Sequence, residues 1–222
     1  MPHYSGIIFD LDGVLVHTDQ YHYLAWKRLA DRLGIPFDEE INRRLLGISR
    51  MDSLEIILKQ GPRQYTMAEK EALAAEKNET YRAFLQGMTP ADVAPEVRHA
   101  LLTLHAAGWK LAVGSSSRNA ALILKKTALT ELFDAIVDGN AITRAKPDPE
   151  VFLRAAAALG LPPESCLVIE DAEAGLRAAI AGGMMPIAIG AAAESPLAKR
   201  RIRSLAELQT LLPPCPFLSV QA

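Results

Sequence analysis

Cysteine is scarce: Cys166 and Cys215 are the only two in 222 residues. They show no CxxC spacing and no His partner at metal-ligand distance, which excludes a zinc ribbon or a redox pair. Cys166 adjoins the apolar run Leu167-Val168-Ile169 and reads as a small buried thiol. An excess of charge of one sign is also missing. Charged residues are 23% and the net charge is −2, so neither disorder nor a dedicated nucleic-acid surface is expected. The one dense basic run, Lys199-Arg200-Arg201 with Arg203, is short and reads as a solvated face. No long hydrophobic run exists. The longest uncharged stretch, Gly182–Ala193, contains Pro186 and falls short of the roughly 20 apolar residues of a membrane helix. Asp10 interrupts any signal-like segment near the N-terminus. There is no GxxxxGK[ST] loop, which argues against ATP hydrolysis of that type. The expectation is a cytoplasmic protein with no membrane and no nucleic-acid partner.

Half of the residues are hydrophobic, enough for a sizeable core. Short apolar runs recur at Gly6–Phe9, Leu111–Gly114, Ala135–Val137, Cys166–Ile169 and Pro186–Gly190. Each has the length of a buried parallel strand and none alternates cleanly. Helical patterns lie between them, at Val97–Ala107, Asn119–Ala128, Pro149–Leu159 and Ala174–Ala181, with Asp148 as the expected N-cap of the third. This alternation predicts an α/β fold, a doubly wound parallel sheet with a Rossmann-like core. One region breaks the rhythm. From about Thr18 to about Pro90 only helical patterns occur: one capped by Asp19 with apolar Tyr23, Trp26, Leu29 and Leu33, then Phe37–Leu46, Ser53–Leu58, and Met67–Phe84 capped by Thr66. A helical insertion therefore follows the first strand. The expected division is 1–16 with 93–222 as the α/β core and 17–92 as the insertion.

Ligands of open parallel sheets bind beyond the C-terminal strand ends. Asp10 and Asp12 follow the first strand, and Ser115, Ser116, Ser117 and Arg118 follow the second. Lys146, in Arg144-Ala145-Lys146-Pro147, lies in the loop after the third, and Glu170 and Asp171 follow the fourth. Each group alone is unremarkable, since Asp-Gly is a common turn dipeptide and a Ser run a common helix cap. Four sets at four matching strand ends point to one crevice. Several carboxylates there repel one another, by on the order of a few kcal/mol per pair at intermediate dielectric. A hard cation such as Mg²⁺ removes that repulsion, and it completes its shell with substrate phosphate. A lysine and serine hydroxyls can hold phosphate oxygens. The pattern points to phosphoryl transfer, with Asp10 as nucleophile and Asp12 as general acid/base.

The order Asp10-Leu11-Asp12-Gly13-Val14, Ser115, Lys146 and Glu170-Asp171 resembles the haloacid-dehalogenase-like phosphotransferases. The resemblance spans residues 7 to about 171 and makes the insertion a cap domain. Within the family the chain is similar to the sugar-phosphate mutases. That likeness lies in Thr18-Asp19-Gln20-Tyr21-His22, Ala25-Trp26-Lys27, Gly47-Ile48-Ser49-Arg50, Asp52-Ser53-Leu54, Lys77-Asn78, Tyr81 and Ser115–Asn119. His17 and Leu46 depart from the family pattern.

The resemblance implies interconversion of β-glucose 1-phosphate and glucose 6-phosphate through an aspartyl phosphate on Asp10 and a 1,6-bisphosphate. It implies Mg²⁺ on Asp10, Asp12 through its carbonyl, Asp171 and Glu170. Ser115 and Lys146 would hold the transferring phosphate; Arg50, Ser117 and Asn119 would hold the distal one. His22 would link cap closure to Asp12. The remaining substrate-side residues are Leu11, Thr18, Gly47, Ile48, Ser49, Ser53, Lys77, Ser116 and Arg118. Trp26 is read as ordinary cap core. Partners are small sugar phosphates, and the chain is expected to act as a monomer. Two other readings are a sugar-phosphate phosphatase with the same core and a non-enzymatic receiver-like module phosphorylated on Asp. The second needs no seventy-residue lid.

Overall fold

The computed structural model of the chain describes residues 4–45 and 48–212. Leu46, Gly47 and Cys215 lie outside the described residues. In chain order the main elements are β1 (Gly6–Phe9), α1 (Asp19–Leu33), α2 (Glu39–Arg43), α3 (Arg50–Leu58), α4 (Met67–Gln86), α5 (Pro95–Ala106), β2 (Lys110–Gly114), α6 (Ala120–Lys126), β3 (Ala135–Val137), α7 (Glu150–Ala158), β4 (Cys166–Glu170), α8 (Glu173–Ala181) and β5 (Met185–Ala188). Two compact units emerge, residues 1–17 with 88–222 and residues 18–87.

In the larger unit the five strands are all parallel in the order β3-β2-β1-β4-β5. β1 is central, with Phe9 in register with Val113 on one side and Ile169 on the other. Every residue of β1 and β4 is buried, as expected of strands covered on both faces. Ile8, Ala112 and Val168 pack on one face against Val151, Phe152 and Ala155 of α7 and Ala178 and Ala179 of α8. Each fully buried Ile, Leu or Phe contributes about 1.5–3 kcal/mol of transfer free energy. The strand order reverses beside β1, which creates the crevice where ligands of such sheets bind.

The smaller unit is helical. Trp26, Leu29 and Ala30 of α1 bury against Leu54, Ile57 and Leu58 of α3 and Leu73 and Ala74 of α4. Gly34 ends α1 in the left-handed conformation at φ 67°. Thr66 caps α4 in a reciprocal box: its Oγ1 accepts the Glu69 N–H at 3.3 Å, and Glu69 Oε2 accepts the Thr66 N–H at 2.8 Å. No helix among the described residues is long and apolar enough to cross a membrane.

Several local expectations change. Thr18, not Asp19, occupies the cap position of α1, and Asp19 sits in the first turn where the helix dipole favours an acid. The Phe37–Leu46 pattern yields only the short α2, capped by Asp38, whose Oδ1 accepts the Ile41 N–H at 2.8 Å. α3 begins at Arg50 instead of Ser53, because Ser49 supplies a cap upstream. α7 begins at Glu150 with Pro149 at the cap position, yet Asp148 Oδ1 still accepts the Glu150 N–H at 3.0 Å. β5 stops at Ala188, and Gly190 opens a 3₁₀ turn.

Candidate active site

Asp10 follows β1 and is buried, and its N–H donates to Ile169 O at 3.0 Å, which continues the ladder one residue past the strand. The next turn is tight: Gly13 N–H donates to Val16 O, and Leu11 O accepts from Leu15 and Val16. Gly13 adopts φ +79°, and a Cβ there would lie 2.0 Å from Asp171 Oδ2. Only glycine both tolerates this backbone and leaves room for the Asp171 carboxylate.

Glu170 is not in a loop, as its acidity suggests, but is the last residue of β4 and almost fully buried. Its carboxylate needs partners there. Oε2 accepts from Lys146 Nζ at 2.8 Å and Oε1 from the Ala172 N–H at 3.1 Å. Lys146 Nζ also donates to Asp10 Oδ1 at 2.5 Å and lies 4.5 Å from the Phe152 ring centre. One ammonium thus bridges two carboxylates, one just past β1 and one at the end of β4. Burial acts to lower the Lys146 pKa, but Asp10 and Glu170 outweigh it and hold the ammonium above its ordinary range. Burial raises Glu170; Lys146 opposes this and Asp10 adds to it, leaving Glu170 up at about 7. Asp10, Glu170 and Asp171 can each offer a carboxylate oxygen, with these oxygens within 4.8 Å of one another. An all-oxygen set of this kind suits a hard divalent cation. Asp12 is half-buried in the turn after β1.

The serine loop follows β2. Ser115 N–H donates to Val137 O, and Ser115 Oγ accepts the Ser117 N–H at 3.1 Å. Ser117 Oγ accepts the Asn119 N–H at 3.2 Å. These bonds curl the loop and still leave each serine O–H as a donor. Ser116 Oγ is buried without a partner among the described residues, Arg118 is exposed, and Asn119 is buried at the start of α6. Asn140 Nδ2 donates to Arg118 O at 3.0 Å, which staples this loop to the one after β3.

In the helical unit, His22 and Lys77 meet although 55 residues separate them: Lys77 Nζ is 2.8 Å from His22 Nδ1. His22 stacks on Tyr81 at 4.0 Å between ring centres. Lys77 Nζ lies 4.6 Å from the Trp26 ring centre and 4.8 Å from that of Tyr81. Trp26 is therefore more than core filling, since it also forms one wall of a cationic pocket. Burial, then Lys77 and Arg50, hold His22 well below its usual pKa. A neutral ring accepting at Nδ1 fits this network. Ser49 Oγ caps α3: it accepts the Asp52 N–H at 3.1 Å and donates to Asp52 Oδ2 at 2.6 Å. Arg50 is the first residue of α3, Thr18 and Ser53 are buried, and Ile48 is exposed.

The larger unit thus gathers Asp10, Lys146, Glu170 and Asp171, and the smaller one gathers His22, Lys77 and Arg50. Sequence reading passed over Gly13 and Gly175 as space-makers. A Cβ on Gly175 would sit 1.9 Å from Glu170 Oε2. Their only signal is their spacing from the acids, Gly13 one residue after Asp12 and Gly175 five after Glu170.

A family model, haloacid dehalogenase-like hydrolase, matches residues 4–183. The chain is 45% identical over 188 residues to a β-phosphoglucomutase of Bacillus subtilis, covering 84% of this chain and 83% of that protein. It is 31% identical to a phosphorylated carbohydrates phosphatase of Thermotoga maritima, covering 81% and 82%. A crystal structure of β-phosphoglucomutase from Clostridium difficile superposes with a TM-score of 0.84 at 36% identity, covering 92% of this chain and 93% of that one. A parallel sheet with acids at its central strand ends, matched over most of its length by one family model, makes this chain a member of the haloacid dehalogenase-like hydrolase family.

Proposed function

We propose that the chain is a β-phosphoglucomutase, interconverting β-glucose 1-phosphate and glucose 6-phosphate. The observation that carries this reading is Lys146 bridging Asp10 and Glu170 beside Asp171, in a chain 45% identical to the Bacillus enzyme. Asp10, Glu170 and Asp171, with the Asp12 carbonyl, would hold Mg²⁺, which neutralises charge on the phosphoryl group and its carboxylate neighbours.

This chain's own groups do the rest. An Asp10 carboxylate oxygen attacks phosphorus as the phosphorus–oxygen bond of the donor breaks, giving an aspartyl phosphate. Asp12 protonates the departing sugar oxygen. In the reverse sense Asp12 takes the proton of the accepting hydroxyl as that oxygen attacks the aspartyl phosphate. Lys146 and Ser115 hold the moving phosphoryl oxygens, so that charge is met by fixed donors. Leu11, Ser116 and Arg118 belong to the same side. Arg50 has the planar fork that suits a phosphate, and Ser117 and Asn119 bring a hydroxyl and an amide to the same task. Thr18, His22, Gly47, Ile48, Ser49, Ser53 and Lys77 serve the sugar and its release, with neutral His22 tied to Lys77. The Ser49 hydroxyl is committed to capping, so its contribution comes through the fixed start of α3. A mutase must keep water from the aspartyl phosphate until the accepting hydroxyl arrives, and the helical insertion is the segment proposed for that cap role.

A phosphatase reading is favoured by one observation, the 31% identity to the Thermotoga phosphatase. The two part at the fate of the aspartyl phosphate. With β-glucose 1-phosphate, Mg²⁺ and a trace of bisphosphate, glucose 6-phosphate is the expected product. Inorganic phosphate without glucose 6-phosphate would overturn the mutase reading and leave the phosphatase.

A further inference from the structure

Lys146 rides on the segment between β3 and α7, where no helix or strand runs from residue 138 to 149. No ladder holds such a segment, so its backbone groups must find other acceptors. Asn140 N–H finds Asp138 Oδ1, and two more N–H groups, those just before Lys146, end on a single side chain. Glu150, the first residue of α7, is buried, and its Oε2 accepts three bonds from the loop: Thr143 N–H at 3.1 Å, Thr143 Oγ1 at 2.9 Å and Arg144 N–H at 2.9 Å. Its other oxygen, Oε1, faces outward to Arg154, at 2.9 Å from Nε and 2.7 Å from Nη2. Arg144 Nε lies 3.2 Å from Asp148 Oδ2, and Asp148 Oδ1 accepts the Glu150 N–H. The loop is therefore closed on itself, its two ends pinned at Glu150, with Lys146 midway between the pins.

We infer that Glu150 is a positioning residue for phosphoryl transfer: its carboxylate latches residues 143–144 so that Lys146 reaches Asp10 and Glu170. The inference rests on the phosphoryl-transfer reading of the Asp10 site, whichever product forms there. The latch is a charged acceptor. The Arg144 N–H, then Arg154, then the Thr143 hydroxyl hold Glu150 down at about 2, so it stays ionised wherever the enzyme would work. A misplacement of about 1 Å in a catalytic group costs on the order of 100-fold in rate, and this loop has no secondary structure to limit such drift. Arg154 sits on the outer oxygen, Oε1, and is half-exposed, whereas the loop bonds all end on Oε2.

The test compares Glu150→Ala, Glu150→Gln and Arg154→Ala in the full-length protein, with two readouts. The first is acetylation of Lys146 by acetic anhydride, mapped by mass spectrometry against the exposed Lys199. This needs no substrate, so it stands or fails apart from the assigned reaction. Lys146 in the native protein and in Arg154→Ala is expected to resist. In Glu150→Ala its modification should rise about 10-fold, as for an amine freed from a buried ion pair. The second readout is steady-state kinetics with whatever phosphate product the native enzyme gives. Glu150→Ala should lose about 100-fold in kcat with KM within about 3-fold, the pattern of a lost transition-state contact. Glu150→Gln, which keeps a neutral acceptor, should fall between, and Arg154→Ala should stay within about 2-fold of native. A folded Glu150→Ala with Lys146 still protected overturns the inference, as does an equal loss in Arg154→Ala. If Glu150→Ala does not fold, Glu150→Gln decides alone: native Lys146 reactivity and kcat would overturn it.

Discussion

Gly13 and Asp171 occupy one space. A methyl on Gly13 would fall 2.0 Å from Asp171 Oδ2 and 2.5 Å from its Cγ, so the turn after β1 and the carboxylate after β4 fit only while residue 13 lacks a side chain.

Gly13→Ala is therefore expected to push the Asp171 carboxylate away from Asp10 and Glu170. The backbone adds its own penalty, about 1–2 kcal/mol for an L-residue at φ +79°. Mg²⁺ affinity by calorimetry should fall at least about 10-fold and turnover by about 100-fold. Unchanged Mg²⁺ binding would remove Asp171 from the proposed metal set.

Gly175 makes the corresponding space under Glu170, where a Cβ would lie 1.9 Å from Oε2 and 2.0 Å from Cδ. Glu170 is walled in and cannot swing out to solvent. Gly175→Ala should cost about 1–3 kcal/mol in urea unfolding, as overpacking does. It should also break the Lys146–Glu170 bond. A native unfolding midpoint would show that the β4–α8 junction relaxes.

The Glu170 titration sets a pH dependence. Its folded pKa of about 7 lies above the ordinary 4.5. Its contribution to stability is therefore full below about 4.5 and is lost as pH rises through about 7. Metal-free protein should lose stability over that window, and Mg²⁺ should restore it. Because the cation must displace that proton, Mg²⁺ affinity should strengthen about 10-fold per unit up to pH about 7 and then level off. A pH-independent affinity between about 5.5 and 7 would contradict this.

His22 runs with the opposite sign. Its folded pKa lies well below 6.5, so its share of stability is present above about 6.5 and is lost as pH falls below that. In proton NMR its ring signals should stay in their neutral positions from pH 8 down through about 6.5, the range where an ordinary imidazole titrates. A His22 midpoint near the ordinary value of about 6.5 would mean that the Lys77 contact is absent in solution.

The α4 cap offers a test of the helical unit alone. Thr66→Ala removes the hydroxyl that accepts the Glu69 N–H and should cost about 1 kcal/mol in thermal unfolding, with little change in kcat.

Much of this molecule is written locally. The five apolar runs become the five strands because each is long enough to cross a covered sheet and ends in residues that belong at its rim. The acids, serines and lysine at those ends are legible for the same reason, since in a parallel sheet all C-terminal ends share one edge. Helix ends were legible where the cap is local, as at Thr66. What chain order could not convey is contact across distance. Glu150 reads as an ordinary acid in a helix's first turn until three loop bonds are seen to end on it. Glu170 reads as a loop acid until β4 carries it into the core. Gly13 and Gly175 read as turn and helix glycines until carboxylates fill the space their side chains would take. His22, Trp26 and Lys77 join only when α1 and α4 pack side by side. Local patterning determined which chemical groups are present and along which edge; packing, through desolvation and close approach, decided which are charged, which are paired and which hold the others in place.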